Sequence, residues 1–196
     1  MAKKTVAEIE VKGKKVFMRC DFNVPLDPQG RITSDDRIVK ALPTIQAILD
    51  RGGALILASH LGRPEGKPDP AYTLKPVAQR LSELLGKPVL FSDRCVGAGA
   101  KAKAAALKAG QVLLLENVRF HKEETIKDKA AKEDQQLRQS KDAFAKQMAD
   151  MADVYVNDAF GTAHRDNASM YTVPQCMKGK PRVIGLLVEK ELRYLG

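Results

Sequence analysis

Residues 54–64, with the sequence Ala-Leu-Ile-Leu-Ala-Ser-His-Leu-Gly-Arg-Pro, decide the fold class of this chain. The first five residues, Ala54 to Ala58, are all apolar, and a run of this length between polar segments is typical of a buried strand. The next six residues are mostly polar or turn-forming and include a histidine and an arginine. The stretch therefore predicts a buried strand that ends in a loop able to bind a ligand.

The same kind of apolar run recurs four times along the chain. The other runs are Val16 to Met18, Pro88 to Phe91, Val112 to Leu115 and Val154 to Val156. Segments with the apolar spacing of helices lie between them, at 38–49, 74–84 and in the alanine-rich stretch 98–109. Alternation of strands and helices predicts a mostly parallel sheet covered by helices on both faces, a three-layer, Rossmann-like α/β fold.

Composition places the chain among ordinary globular proteins. Its 196 residues are 44% hydrophobic and 29% charged, so we expect one domain with one good core. The first residues show no signal peptide, and the longest apolar runs are too short to cross a bilayer. Three widely spaced cysteines without a Cys-x-x-Cys pair argue against a disulfide framework or a zinc site, so we expect a cytoplasmic protein.

The formal net charge of +9 is compatible with nucleic acid, an anionic membrane or a small anionic substrate as the partner. Residues 122–147 are rich in charge, and we interpret them as a solvated helix. A nucleic-acid-binding arm is the alternative, but acidic residues alternate with the lysines there, which is typical of a solvent-facing surface. Within the first helical segment, Pro43 should kink the helix or delay its start.

Polar loops follow four of the predicted strands, at 19–25, 59–64, 116–121 and 157–165. In an open α/β sheet the carboxyl ends of the strands form the ligand crevice, so these loops should meet at one edge. They contain all three histidines of the chain and Arg63, Arg119 and Arg165. Several guanidinium groups are costly to bring together unless an anion joins them, and their shape matches phosphate and carboxylate groups. The loops predict a small, multiply anionic ligand.

One segment fits a competing motif. Residues 97–102, Gly-Ala-Gly-Ala-Lys-Ala, match the loose dinucleotide-binding pattern, with Glu116 at about the expected distance for a ribose contact. However, the glycines of that motif follow a strand directly, whereas residues 92–96 intervene here. We therefore interpret the segment as the start of a helix.

The four loops resemble the signature segments of the phosphoglycerate kinase family, in the same order and at compatible spacing. These segments are Asp-Phe-Asn-Val-Pro at 21–25, Ser-His-Leu-Gly-Arg-Pro at 59–64, Leu-Glu-Asn-Val-Arg-Phe at 115–120 and Asn-Asp-Ala-Phe-Gly-Thr-Ala-His-Arg at 157–165. The resemblance implies a domain that binds 3-phosphoglycerate or 1,3-bisphosphoglycerate. The complete enzyme would transfer a phosphoryl group reversibly between 1,3-bisphosphoglycerate and ADP in glycolysis, with Mg-ATP or Mg-ADP as the nucleotide.

The resemblance also implies a role for individual residues. His60, Arg63, Arg119 and Arg165 would hold the phosphate that does not react. Asp21 and Asn23 would contact the hydroxyl and carboxyl end of the substrate. Arg37 would be the catalytic residue, because it matches the arginine that faces the reacting carboxylate and stabilises the transferred phosphoryl group.

The resemblance further implies a division of the chain. We expect residues 1–183 to form the substrate-binding domain and residues 184–196 to begin the helix that joins it to a nucleotide-binding domain. That second domain is expected to be absent, so the fragment alone should bind no nucleotide or metal and should be inactive. Residues 169–174 begin like the family and then diverge, so no role is carried onto Tyr171 or Cys176.

Partners follow from the same expectations: a phosphorylated acid, no nucleic acid, no membrane and, as is usual in the family, a monomeric state. The alternative is a non-catalytic anion-binding α/β module, for which nucleic acid is the most extreme ligand. Few aromatic residues, 5% with no tryptophan, leave little surface for stacking single-stranded bases. Saturable binding of 3-phosphoglycerate, against weak and salt-dependent binding of random oligonucleotides, would separate the two readings.

Overall fold

A computed structural model describes residues 3–162 and 165–196. It contains one six-stranded sheet, and every strand pair is parallel. The strands are β1 Lys15–Arg19, β2 Ala54–Ala58, β3 Val89–Ser92, β4 Val112–Leu115, β5 Val154–Asn157 and β6 Arg182–Ile184. Their order across the sheet is β3-β4-β2-β1-β5-β6. The mostly parallel sheet expected from the sequence is confirmed.

The described part of the chain contains seven α-helices, of which six connect strands and the seventh follows β6. They are α1 Asp36–Asp50, α2 Lys75–Leu85, α3 Ala98–Ala105, α4 Asp128–Glu133, α5 Gln135–Ala149, α6 Val173–Gln175 and α7 Leu186–Leu195. Short 3₁₀ turns lie at Val6–Glu8, Pro70–Tyr72, Val118–Phe120, Lys122–Thr125 and Phe160–Thr162, and a π-helical turn lies at Ala168–Thr172. None of the helices described is long and apolar enough to traverse a bilayer.

Two hydrophobic cores cover the two faces of the sheet. Alternate residues of a strand point to opposite faces, and β1 shows this clearly: Val16 and Met18 belong to one core, whereas Phe17 belongs to the other. The first core packs α1 and α2 against the sheet, and the second packs α3 and α5 against it. The three-layer architecture predicted from the alternation of elements is therefore confirmed.

Three local expectations have clear outcomes. Pro43 does not delay the first helix, because α1 begins at Asp36 and contains the proline. The Gly97 segment is a helix start: Gly97 precedes α3 with a φ of 98°, and residues 93–96 separate it from β3. Ile184, expected to begin the last helix, is instead the final residue of β6, and α7 begins at Leu186.

The charged segment 122–147 is not one solvated helix, and that interpretation is wrong. It forms a 3₁₀ turn, α4 and most of α5, and two of its charged residues, Glu124 and Lys141, are fully buried. Phe144 and Ala145 place α5 in the second core. Burial of Glu124 and Lys141 is possible because each is hydrogen-bonded inside the protein, Glu124 to Ser169 and Lys141 to the Asp166 carbonyl.

Candidate anion-binding site

The four signature loops meet at one edge of the sheet. Strands β4, β2, β1 and β5 are consecutive neighbours and run parallel, so their carboxyl ends lie together. Hydrogen bonds connect the loops: the Gly62 N–H donates to Asn23 Oδ1 at 2.8 Å, and Arg119 Nη1 donates to the Gly62 carbonyl at 3.1 Å. Arg165, from the loop after β5, lines the same cavity as Arg119. The predicted convergence is present in the structure.

A cavity of about 670 Å³ opens at this edge. Four cationic side chains and two acidic ones line it. They are Arg63, Arg119, Lys127 and Arg165, with Glu65 and Asp166. Three of the four cations are the arginines predicted from the strand exits, and Lys127 was not predicted. The positive excess gives the cavity the electrostatic character of an anion site.

Arg119 is the most constrained of the cavity arginines. It is only 9% exposed, and its Nε is buried without a hydrogen-bond partner among the described residues. Burial, followed by the charges of Arg165 and Arg19, lowers the pKa of this guanidinium. A buried cation that faces other cations is unfavourable unless an anion compensates it. The arrangement therefore favours an anionic ligand beside Arg119.

The loop that carries Arg165 is held from beneath by α4 and α5. The buried ammonium of Lys141 donates to the Asp166 carbonyl at 2.7 Å. The backbone N–H of Asp128, at the start of α4, donates to Asp166 Oδ2 at 2.6 Å. Asp128 Oδ1 also lies 3.6 Å from the Lys141 ammonium, so the two residues that hold Asp166 attract each other. The charged segment 122–147, which the sequence analysis did not assign to the site, thus supports one wall of the cavity.

His60 lies behind the cavity and is not part of its lining. It is 3% exposed, and its Nδ1 lies 3.0 Å from Nη2 of Arg19. Burial, together with the charges of Arg19, Arg119 and Arg165, lowers the pKa of His60 to about 2. The imidazole is therefore neutral at physiological pH, and it can serve an anion as a hydrogen-bond donor without adding positive charge.

Asp21, Asn23 and Arg37 form a second group beside the cavity. Arg37, in the first turn of α1, donates from Nη1 to Asp21 Oδ1 at 3.2 Å and to the Asn23 carbonyl at 3.0 Å. Asp21 and Arg37 line a groove of about 200 Å³ together with residues of α7, Leu187 and Glu191. Asn23 lines neither space, and its side-chain oxygen accepts the bond from Gly62. Five of the seven predicted residues therefore line the basic cavity or the smaller groove, whereas His60 and Asn23 line neither.

Sequence reasoning missed a buried polar network under the site. Arg19, Glu124 and Ser169 have no exposed surface, and they come from β1, the turn after β4 and the π-helical turn. Arg19 Nε donates to Ser169 Oγ at 2.7 Å, and that hydroxyl donates to Glu124 Oε1 at 2.5 Å. The only signal available was an arginine at the end of an apolar run. His164, the third histidine of the loops, lies outside the described residues.

Comparisons with known proteins agree with the geometry. The profile of the family described as phosphoglycerate kinase matches residues 6–196. Proteins named phosphoglycerate kinase from Rhodopirellula baltica and Prosthecochloris aestuarii are 53% and 51% identical to the chain over 196 residues. The matches cover 100% of this chain but 46% of each relative. The chain thus spans about half the length of these relatives.

Solved structures give the same result. The structure of phosphoglycerate kinase from Coxiella burnetii superposes with a TM-score of 0.79 at 36% identity, over 99% of this chain and 44% of that one. The enzyme from Pyrococcus horikoshii gives a TM-score of 0.81 at 32% identity, over 97% of this chain and 44% of that one. Both similarities extend over nearly all of the sheet and helices described above. This chain belongs to the phosphoglycerate kinase family.

Proposed function

We propose that this chain is the substrate-binding part of a phosphoglycerate kinase and that it binds 3-phosphoglycerate or 1,3-bisphosphoglycerate at the edge formed by the four loops. The observation that carries the proposal is the group of three arginines, Arg63, Arg119 and Arg165, on one cavity. Guanidinium forks match phosphate oxygens in shape and charge. The non-reacting phosphate would lie among these three side chains, and His60 would donate a further hydrogen bond.

The acidic end of the substrate would lie toward the groove of Asp21 and Arg37. Among the described residues, only Nη1 of Arg37 donates to protein acceptors, so its Nη2 and Nε remain available for a ligand. In the direction that consumes ATP, a carboxylate oxygen of 3-phosphoglycerate attacks the γ-phosphorus of ATP, and the bond from that phosphorus to ADP breaks. Arg37 would offset the negative charge in flight, since phosphoryl transfer depends on positioning and charge stabilisation.

Mg-ATP and Mg-ADP are co-substrates in this proposal. No group of three His, Cys, Asp or Glu side chains able to hold a metal occurs within residues 3–162 and 165–196. We therefore assign the nucleotide and its magnesium to the part of the relatives that extends beyond the matched length. The domain division expected from the sequence, with residues 1–183 as the substrate domain, belongs to the same proposal, as do a cytoplasmic location and a monomeric state.

Calorimetric titration with 3-phosphoglycerate tests the proposal directly. We expect saturable binding by the chain, and an affinity at least about 10-fold lower for the Arg165→Ala variant, because one charge-assisted hydrogen bond contributes about 1.5–3 kcal/mol. Arg94→Ala is the matched control: it removes the same charge, but Arg94 lines a separate cavity. Its affinity should stay within about twofold of the parent value, since distant exposed charges act weakly through salt solution.

Two results would contradict the proposal. Equal losses for Arg165→Ala and Arg94→Ala would mean that only the overall charge attracts the ligand. If glycerate, which lacks the phosphate, bound as tightly as 3-phosphoglycerate, the chain would not recognise the phosphate group. If random oligonucleotides bound and 3-phosphoglycerate did not, the chain would be a general anion-binding module instead.

A further inference from the structure

The buried network under the cavity has a fixed direction of hydrogen bonding. An arginine side chain donates hydrogen bonds and accepts none. Since Arg19 Nη2 lies 3.0 Å from His60 Nδ1, that nitrogen must carry a lone pair. The proton of the neutral ring is therefore on Nε2. His60 is held in a single tautomer by a neighbour that no signature motif marked as a ligand contact.

Arg19 needs to be held in turn, because a free guanidinium could turn away from His60. Its Nη1 donates to the Cys20 carbonyl, and its Nε donates to Ser169 Oγ at 2.7 Å. The three donor nitrogens thus have three separate acceptors: a carbonyl, a hydroxyl and the imidazole. Of these acceptors, Ser169 is the most distant along the chain, 150 positions away from Arg19, against 41 for His60.

The Ser169 hydroxyl is itself oriented by Glu124. It has one proton, and it donates that proton to Glu124 Oε1 at 2.5 Å, which leaves its lone pairs directed at Arg19. Glu124 also accepts from the Ser169 backbone N–H at 3.0 Å, and Tyr155 donates to the Ser169 carbonyl at 2.8 Å. Every polar atom of Ser169 is therefore engaged. This residue lies in a π-helical turn, a conformation that often occurs at functional sites.

We propose that Ser169 and Glu124 are positioning residues, which hold Arg19 so that His60 presents Nε2–H to the anion. The tautomer part of the proposal stands on the contacts of the chain alone, and the ligand part rests on the proposed function. Neither residue touches the cavity. Both act through Arg19, and they fix the direction of one hydrogen-bond donor, the Nε2–H of His60.

The Ser169→Ala variant tests the proposal, because it removes the hydroxyl and leaves every charge in place. Thr172→Val is the matched control: Thr172 lies in the same turn, is 2% exposed and has a buried hydroxyl without a partner among the described residues. Nitrogen-15 NMR of histidine-labelled protein distinguishes a protonated ring nitrogen from an unprotonated one. His60 should show an unprotonated Nδ1 in the parent chain and in Thr172→Val, but a mixture of tautomers in Ser169→Ala.

The affinity for 3-phosphoglycerate supplies the second measurement. We expect a loss of about 5- to 10-fold in Ser169→Ala, which corresponds to one misdirected hydrogen bond, and no more than about a twofold change in Thr172→Val. An unchanged tautomer in a folded Ser169→Ala variant would overturn the proposal. So would a protonated Nδ1 in the parent chain, a measurement that needs no variant to fold.

The two readouts separate this proposal from the proposed function. If His60 shows the expected tautomers but no variant or parent chain binds 3-phosphoglycerate, the positioning of His60 stands and the ligand is wrong. If the parent chain binds 3-phosphoglycerate while Ser169→Ala keeps both the tautomer and the affinity, the function stands and Ser169 is only a packing residue.

Discussion

Individual residues at this site have environments that their types alone do not suggest. His60 is a neutral donor because it is buried among arginines, whereas an exposed histidine would be half charged near pH 6.5. Arg119 is a buried cation with an unpartnered Nε. His60 therefore adds no positive charge to the site, whose cavity takes its cations from the three arginines and Lys127.

This leads to a prediction for His60. Its pKa of about 2 lies far below the ordinary value of 6.5, so its ring signals should not shift between pH 8 and pH 5. The unfolded chain gains a proton at this residue below pH 6.5, whereas the folded chain does not. The contribution of His60 to the free energy of unfolding is therefore fully present above pH 6.5. It falls by about 1.4 kcal/mol for each pH unit below that value.

Proton NMR during a pH titration measures the ring, with a His60→Asn variant to assign its signals. A titration midpoint near pH 6.5 would contradict the prediction and would mean that the ring is exposed to water. Acid unfolding of the same variant supplies a check on the linked stability, which should depend less on pH below 6.5 than that of the parent chain.

At the residue scale, the sequence predicted the arginines that line the cavity but not the buried groups beneath it. Arg63, Arg119 and Arg165 could be found because each follows an apolar run. Glu124 and Ser169 could not, since a glutamate in a charged segment and a serine in a divergent one are usually exposed. They are buried because three segments far apart in the chain pack together, and no local sequence pattern predicts such packing.

Among the elements, α7 is hydrogen-bonded to the loop after β5 through the carboxylate of Asp158. Asp158, directly after β5, is 1% exposed and accepts from the Leu187 N–H at 3.0 Å and the Val188 N–H at 3.4 Å. It thus caps a helix 28 positions further along the chain, where a negative charge is favourable. Burial raises the pKa of Asp158 to about 6. The position of α7 therefore depends on the loop that follows β5.

Gly185 makes this cap possible, and its replacement gives a test. A Cβ at Gly185 would overlap the Asp158 carboxylate, so Gly185→Ala should lower the free energy of unfolding by about 1–3 kcal/mol, the usual cost of overpacking. Gly99→Ala is the matched control, because a Cβ there meets nothing within 4 Å inside α3. That change should raise stability by up to about 1 kcal/mol.

Urea unfolding of the three chains would measure both effects. If Gly185→Ala were as stable as Gly99→Ala, Asp158 would have room to move and would not fix the helix. Equal destabilisation by both changes would point to a general intolerance of alanine, not to the cap.

Elements differed in how well the sequence predicted them. The first five strands were found because each is an uninterrupted apolar run. β6 was not found, since it has only three residues and begins with the exposed Arg182. The start of α1 was placed in doubt by Pro43, yet the remaining apolar spacing was strong enough for tertiary packing to outweigh the missing N–H.

The whole molecule has a basic cavity at one edge of its sheet and spans about 46% of the length of its relatives. All the predicted substrate residues lie at that edge, and the proposed nucleotide site lies beyond the matched length. A kinase must hold both substrates in line and exclude water from the transferred group. In the proposed function, the described residues supply the surface for one of the two substrates.

We therefore expect this chain, by itself, to bind 3-phosphoglycerate but to transfer no phosphoryl group from Mg-ATP. A coupled assay for ADP formation, with full-length phosphoglycerate kinase as the positive control, would measure transfer. Activity that persists after removal of contaminating enzyme, and that is lost in the Arg37→Ala variant, would contradict the expectation. Such a result would place a nucleotide site within the chain.

The order of the strands has a consequence for how the protein reaches its native state. β1 is the first strand to be synthesised, yet it lies in the interior of the sheet, between β2 and β5. One of its two neighbours is made more than 130 residues later, when Val154 pairs with Val16. Until then the edge of β1 can be occupied by foreign strands. A ribosome-bound chain should consequently remain open to aggregation until residue 157 has emerged, and its folding should be slow for its size.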